Sequence, residues 1–473
     1  MDSLITLKTE ELSKRQWEKL FLALTFRDAD DEEVSAFQYL SGRDEVLLPR
    51  GAWSLVPKQV KVNDMRSRPT MRKCSYTRTL DAPDYEGQSG AVTAMFKHEQ
   101  GQVIAPPGRG KTEICLAWAA QSRTRVLVVV HTHDLLKQWE DRARVSVPGM
   151  TLGKIQGKTC QVEHLTIATA QTLKKYLHKG GSFWRQFGAV IVDEAHHAAA
   201  ETWEWLLNVC PAYYRFGVTA SEKRSDGRQA LVKFNIGPVI YKLKFKSGVP
   251  ITVVPIQTKF HSRYNGNQYA RIMQKLVRDE DRNALIAGIV KKEVEEGNSI
   301  LVLSRQIIHL ENIQDHINLA FGFDEGWTQQ VELVSGQISK RKRDEMIARL
   351  TDGSLRCILG TQLFEEGVDI PRLNRIVLAF PGTEITALQK VGRGARKFEG
   401  KDETIIYDLL DDLVRVLAKQ FLRRKLWYKG ANGITLGKVV KNEGKAIKDA
   451  EPEAKEGRGL RDRLRVARPR RDG

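Results

Sequence analysis

The stretch that decides the fold is Ala105-Pro106-Pro107-Gly108-Arg109-Gly110-Lys111-Thr112. It follows a short apolar run at 102–105 and opens a helix-forming stretch at 111–120, so it reads as strand, loop and helix. In that setting glycine lets the main chain approach an anion. The N–H groups from Gly108 to Thr112 then converge on phosphate oxygens, and the helix start adds positive potential. Lys111 is placed to reach the β- and γ-phosphates of a nucleoside triphosphate, and the Thr112 hydroxyl to ligate Mg²⁺. The pattern departs from G-x-x-x-x-G-K-[ST] at its first position, where Ala105 stands for glycine. The bland alternative is a glycine-rich turn with a surface lysine.

Outward from this loop, apolar β-rich runs recur between helical stretches, at 102–105, 126–130, 165–168, 189–192 and 215–219, and again at 300–304, 331–334, 356–360, 375–380 and 403–407. That alternation implies an α/β protein with two doubly wound parallel sheets and a cleft between them. Asp193-Glu194-Ala195-His196 follows the run at 189–192, at the carboxyl end where open α/β sheets bind ligands. Asp193 is expected to hold Mg²⁺ and Glu194 to orient or deprotonate the water that attacks the γ-phosphate. Adjacent carboxylates can instead cap a helix, a reading that the upstream loop disfavours. His196, whose ring both donates and accepts, is expected to link the nucleotide site to the second sheet.

A length of 473 residues allows two to four domains. We expect an accessory region at 1–80, a first α/β domain at 81–248, a second at 249–430 and a basic tail at 431–473. Residues 221–250, with SEKRSDGRQ and further glycines, read as a surface connection between the sheets. Within 1–80 an acidic patch (Asp28, Asp30, Asp31, Glu32, Glu33) precedes a basic stretch (Lys58, Lys61, Arg66, Arg68, Arg72, Lys73, Arg78) that is either a phosphate contact or a solvated linker. One long helix is expected from Leu409 to Tyr428. Trp427 and Tyr428 follow Arg423-Arg424-Lys425 and suit packing on the sheet better than stacking on single strands. The last ~40 residues hold too few large apolar groups to offset ordering entropy, and RGLRDRLRVARPRRDG at the end is either an electrostatic arm or a frayed tail.

Hydrophobic residues at 41%, charged residues at 28%, 37 glycines and 15 prolines lie near globular averages and exclude a fibre or a disulfide-stapled module. Lysine and arginine outnumber aspartate and glutamate 76 to 58, a net charge of +18 that suits nucleic acid and also serves plain solubility. Cys74, Cys115, Cys160, Cys210 and Cys357 contain no C-x-x-C pair, so neither a disulfide framework nor a zinc ribbon is indicated. His131 and His133 lack a third ligand at a suitable spacing and read as structural, and His197 as a supporting neighbour of His196. Trp184, Trp203 and Trp205 read as core. MDSLITLKTEELSKR lacks the order of a signal peptide, and no apolar run approaches the ~20 residues of a membrane span. A cytoplasmic protein without membrane partners is expected.

The loop and the Asp193–His196 tetrapeptide together resemble the superfamily-2 DEAH-type helicases. Other segments are similar to that family's motifs in the same order. VLVVVHTHDLLKQW (126–139) and IATAQTL (167–173) resemble segments whose threonines, here Thr132 and Thr169, touch the nucleic-acid backbone. GVTAS (217–221) resembles the coupling motif through Thr219, with Ser221-Glu222 where the family has Thr-Pro. LVLSRQIIHLENI (301–313), ILGTQLFEEGVDIPRLN (358–374) and Gln389-Lys-Val-Gly-Arg393-Gly-Ala-Arg396 resemble the motifs of the second RecA-like domain. The segment after the third motif is similar to the XPB- and UvsW-type branch, in a phage-type form. The resemblance covers roughly residues 80–430.

The resemblance implies two tandem RecA-like domains that bind ATP and Mg²⁺ between them, with Gly108, Arg109, Gly110, Lys111 and Thr112 at the phosphates and Asp369 on the ribose. Gln88 would read the adenine edge, although Gly87 occupies the place where relatives often carry an aromatic, which leaves Tyr85 to stack. Arg393 and Arg396, three apart on one helical face, would act as arginine fingers across the cleft, with Gln389 and His196 in coupling. A strand would lie across Thr132, Thr169, Ser304, Arg305 and Thr361, held mainly by phosphates and therefore sequence-tolerantly. The implied activity is ATP-dependent unwinding or remodelling of forked, branched or single-stranded DNA, 3′ to 5′. The residues do not discriminate RNA from DNA. Alternatives are a duplex-tracking translocase without strand separation and an ATP-gated nucleic-acid sensor. A monomer is expected, with residues 1–80 or the tail available to protein partners.

Overall fold

A computed structural model describes the chain apart from residues 1–2, 30, 41, 61, 83–84, 177–179, 221, 223–226, 245, 265–267, 323, 335–339, 362–371, 383–400 and 442–473. Near the N-terminus, β1 (Ile5–Lys8), β4 (Gln38–Leu40) and β5 (Glu45–Leu48) form an antiparallel sheet, and β2 (Thr25–Arg27) pairs with β3 (Glu33–Ser35). The helix Lys14–Leu24 starts at Ser13, whose side chain and that of Gln16 form a capping box.

Eight strands build the first large sheet: β6 (Gln100–Ile104), β7 (Val126–Val130), β8 (Leu152–Gln156), β9 (Thr159–Gln161), β10 (Leu165–Thr169), β11 (Ala189–Asp193), β12 (Tyr214–Thr219) and β13 (Val239–Lys242). Their order is β13-β6-β12-β11-β7-β10-β8-β9. All neighbours are parallel except the β8–β9 hairpin. Residues 126–130 and 189–193 are buried at every position, as strands covered on both faces must be.

The second large sheet comprises β14 (Lys246–Gln257), β15 (Ile300–Leu303), β16 (Val331–Val334), β17 (Cys357–Gly360), β18 (Arg375–Leu378), β19 (Thr404–Leu410), β20 (Asn432–Leu436) and β21 (Val440–Lys441). Its order is β16-β17-β15-β18-β19-β14-β20, with β21 also on β14 and every pairing parallel. The two parallel-sheet α/β units match the tandem architecture expected from the sequence.

Several boundaries differ from the sequence expectation. Residues 221–250 are not only a surface connection: they carry the helix Gln229–Asn235, whose Leu231, Val232 and Phe234 are buried, then β13 and the start of β14. β14 escapes periodicity because it contains Pro250 and Pro255. Proline is tolerated where no ladder N–H is needed, and Pro255 lies between the residues that pair with β20 and those that pair with β21. β19 runs on to Leu410, and the following helix begins at Arg415 rather than near Leu409. Residues expected to open a basic tail instead form β20 and β21. The rest of that tail lies outside the described residues.

The N-terminal region shares an apolar core with the first sheet, Ile5, Leu7, Leu20 and Val46 joining Leu127, Val129 and Val190. Asp28 receives Arg228 Nε at 3.0 Å and its terminal nitrogen at 2.7 Å. The basic stretch beyond runs along the amino ends of the strands. Ser67 N donates to Pro211 O at 2.6 Å, Met71 N to Arg123 O at 2.8 Å and Cys74 N to Ala120 O at 2.8 Å. Arg66 pairs with Asp64 and Glu99, each at 2.6 Å, and stacks on Tyr213 beside Arg68. At these two arginines the stretch is a strap on the edge opposite the phosphate loop.

The second sheet is pinned by buried ion pairs. Arg424 donates to both oxygens of Asp408 at 2.9 and 2.8 Å, and Tyr428 adds a third bond at 2.9 Å. Asp411 accepts from Arg282 at 2.9 and 3.2 Å and from Thr258 at 2.6 Å. These bonds allow β19 to end in carboxylates under 3% exposed and place Tyr428 in the core, as packing predicted. Removing one partner of such a pair costs about 3–5 kcal/mol because the other charge stays buried. Asp408→Ala is expected to lose that much in urea unfolding, and Asp408→Leu with Arg424→Met to recover most of it.

Candidate nucleotide and nucleic-acid site

The carboxyl ends of β6, β12 and β11 lie side by side, and the sequence motifs meet there. Ala105 N donates to Thr219 O at 2.8 Å, so the loop after β6 starts bonded to the end of β12. Gly108 and Gly110 turn the loop with φ of 76° and 74°, a region open to glycine at no steric cost. A Cβ on Gly108 would meet nothing within 4 Å, whereas one on Gly110 would come 2.1 Å from Gln88 Nε2.

Gln88, 3% exposed, donates to Arg109 O at 3.2 Å. Arg109 in turn donates to Glu86 O at 2.7 Å and pairs with its carboxylate at 3.7 Å. Both side chains hold the loop. Lys111 and Thr112 then open the helix Lys111–Gln121.

Lys111 Nζ donates to Glu194 Oε1. Burial opposes its charge, but Glu194 and Asp193 outweigh that and hold its pKa above the ordinary value. Asp193 is pushed up by burial against the pull of Lys111. Its Oδ1 accepts Glu194 N at 2.9 Å and its Oδ2 accepts Trp139 Nε1 at 2.8 Å. Glu194 has a φ of 53°, a left-handed conformation costing roughly 1–2 kcal/mol for a non-glycine residue. His196 Nδ1 lies 3.2 Å from Thr219 Oγ1 and 3.4 Å from Glu194 Oε2, joining the β11 and β12 ends.

Trp139 is the residue that sequence reasoning missed. It sits on the helix His133–Ser146, which Thr132 caps by accepting Leu135 N at 3.2 Å, so one helix joins Thr132 to Asp193. Its only signal in the sequence is a tryptophan two turns past that threonine. His131 packs against His197 with ring centroids 4.6 Å apart, in keeping with a structural role.

Thr112 and Asp193 supply hard oxygens, the ligand type of Mg²⁺, which keeps several waters and is bound through one or two protein oxygens plus phosphates. Lys111 already pairs with one oxygen of Glu194 and is positioned for a more highly charged anion. The residues present fit a nucleotide with its metal.

The expected nucleic-acid residues divide. Thr132, Arg305 and Thr361 reach the surface. Thr169 is fully buried and donates to Thr172 Oγ1 at 2.9 Å. Ser304, 2% exposed, bonds His309 Nδ1 at 2.9 Å. The hydroxyls of Thr169 and Ser304 are therefore used locally, and the expectation that they contact a strand directly is not met in this conformation. Asp369, Gln389, Arg393 and Arg396 lie outside the described residues.

Residues 76–224 match the family model of the type III restriction enzyme res subunit, and 260–398 that of the helicase conserved C-terminal domain. The chain is 26% identical over 359 residues to the DNA 3'-5' translocase XPB2 of Sulfurisphaera tokodaii, covering 67% of this chain and 79% of the relative. It is 26% identical over 312 residues to the probable helicase D10 of Escherichia phage T5, covering 64% of this chain and 66% of the relative, just under two thirds. A fragment of a putative HsdR subunit of a type I restriction enzyme from Vibrio vulnificus superposes with a TM-score of 0.59 at 19% identity, over 79% of this chain and 71% of that one, and shares its fold.

Gly110→Ala should weaken nucleotide binding at least tenfold in a titration with a fluorescent ATP analogue, because the added methyl collides with Gln88 and resists the required φ.

Proposed function

Because the chain belongs to the superfamily-2 helicases, in the XPB-like branch, we propose that it couples ATP hydrolysis to movement on DNA, unwinding or remodelling forked or branched substrates. The observation that carries this reading is the contact of Lys111 with Glu194 beside Asp193, across three adjacent strand ends. A lysine that reaches phosphates, a carboxylate for metal and a carboxylate for water are the parts that phosphoryl transfer to water requires.

In this reading Gly108 to Thr112 bind the phosphates through backbone N–H groups, and Lys111 exchanges Glu194 for the β- and γ-phosphates. The freed Glu194 orients the attacking water and takes its proton. Mg²⁺ held by Thr112 and Asp193 would neutralise charge on the phosphate oxygens. Gln88 and Arg109 brace the loop, with Asp369 on the ribose. Arg393 and Arg396 approach from the second domain when the two close, so that binding and release of nucleotide become a closing and opening stroke. His196 and Thr219 relay that state between strand ends, and we assign Gln389 to the same coupling.

The DNA partner is supported by the relative named a DNA 3'-5' translocase and by the excess of basic residues. Thr132, Arg305 and Thr361 would meet the strand, while Thr169 and Ser304 shape the turns that present it. The word translocase in the same relative's name leaves room for a second reading, movement along duplex without strand separation. We assign residues 81–248 and 249–430 to the two RecA-like domains, the second extended by β20 and β21, and 1–80 to an accessory module. Among the described residues no helix is long and apolar enough to cross a membrane.

Strand displacement on a labelled fork, set against ATP hydrolysis stimulated by blunt duplex, separates the two readings. Hydrolysis with neither displacement nor movement would contradict both. Lys111→Ala is expected to reduce ATP turnover to background, and turnover near the wild-type rate would overturn the site. Arg393→Ala should keep nucleotide affinity within about twofold and lose DNA-stimulated turnover by about 10³-fold, the range known for arginine fingers.

A further inference from the structure

The helices Tyr269–Leu276 and Arg415–Gly430 lie together on the second α/β unit and contain no aspartate or glutamate between them. They share an apolar core of Ile272, Met273, Leu276, Leu417 and Phe260, and Gln420 bonds the Tyr269 hydroxyl at 3.3 Å. On the longer helix Leu417, Phe421, Arg424 and Tyr428 face inward. Arg415, Lys419 and Arg423 recur at every fourth residue on the exposed side, about 6 Å apart along the axis.

The shorter helix adds exposed Arg271 and Lys275. Arg263 and Arg271 both lie over the Tyr264 ring, with centroid distances of 5.5 and 5.8 Å. The hydrogen bond from Arg263, then the charges of Arg263, Arg271 and Lys275, lower the pKa of the Tyr264 hydroxyl. At the far end of the shorter helix, Val277 O accepts Asn283 Nδ2 at 3.1 Å and Asn312 Nδ2 at 2.8 Å. Asn283 Oδ1 bonds His309 Nε2 at 3.2 Å, and His309 bonds Ser304. The basic ridge is thus connected by hydrogen bonds to the turn that carries Arg305.

We propose that this two-helix ridge is a second nucleic-acid surface, holding the phosphate backbone of a duplex as the track past Ser304–Arg305 continues over the second domain. The proposal rests on the reading of the chain as a DNA-dependent ATPase. A row of cations without carboxylates neutralises phosphates whatever the base sequence, and the Tyr264 ring with its two arginines offers a face for an unpaired base at a duplex end. An acidic protein partner is the competing occupant.

The test is fluorescence anisotropy with a labelled blunt duplex over a salt series, comparing the full chain with Arg415→Glu/Lys419→Glu/Arg423→Glu and with the corresponding triple glutamine variant. Both variants should keep the melting temperature and the nucleic-acid-free ATPase. Duplex affinity is expected to fall at least tenfold, and log K against log salt to become shallower by about 2.7 for three lost phosphate contacts. Affinity within twofold of wild type with an unchanged slope would overturn the ridge while leaving the ATPase reading intact. Failure of the wild-type chain to bind any duplex or single strand would overturn both. Loss of affinity with an unchanged slope would also reject the ridge, because the three cations would then not be displacing counterions.

Discussion

A mostly buried lysine paired with one carboxylate beside a second organises the first half of this molecule. Lys111 belongs to the loop after β6, and Asp193 and Glu194 to the end of β11, two strands away in the sheet with β12 between them. Charge can be kept in such a place only if it is paired. The pairing in turn requires parallel strands whose carboxyl ends are level, a loop that turns through two left-handed glycines, and a strained Glu194. The backbone cost at Glu194 is offset by the contacts it gains with Lys111 and His196.

The second α/β unit uses the same physics for support rather than chemistry. Asp408 and Asp411 sit in or just beyond β19 and are each matched by an arginine fork, from Arg424 and Arg282. Such pairs add little net stability over apolar packing but penalise every arrangement in which they are broken. They therefore fix where the helices 280–295 and 415–430 lie on the sheet, and with them the basic face of the latter.

The N-terminal region is coupled to the first sheet at two levels. Its apolar face completes the core beneath β7 and β11, and its basic stretch closes the amino edge of the strands. Arg66 and Arg68, which contribute to the positive balance of the chain, are committed to Asp64, Glu99 and two tyrosine rings. Net charge in a sequence overstates what is available to a polyanion, because it does not distinguish cations folded against carboxylates from those left in a row on one face.

The sequence by itself determined the two α/β units, the loop, and the Asp193–Glu194 pair, because fully buried parallel strands need continuous apolar runs and a phosphate loop needs glycine and lysine at fixed spacing. These are local requirements, and local patterns record them. Only the tertiary structure decided that Trp139 holds Asp193, that Gln88 and Arg109 brace the loop, that Thr169 and Ser304 face inward, and that Pro255 is admitted to a strand. Several of those depend on a neighbour far away in the chain: an indole reaches a carboxylate 54 residues on, and a proline fits where two partner strands leave a gap. Spacing along a chain cannot encode a contact whose partner is chosen by packing.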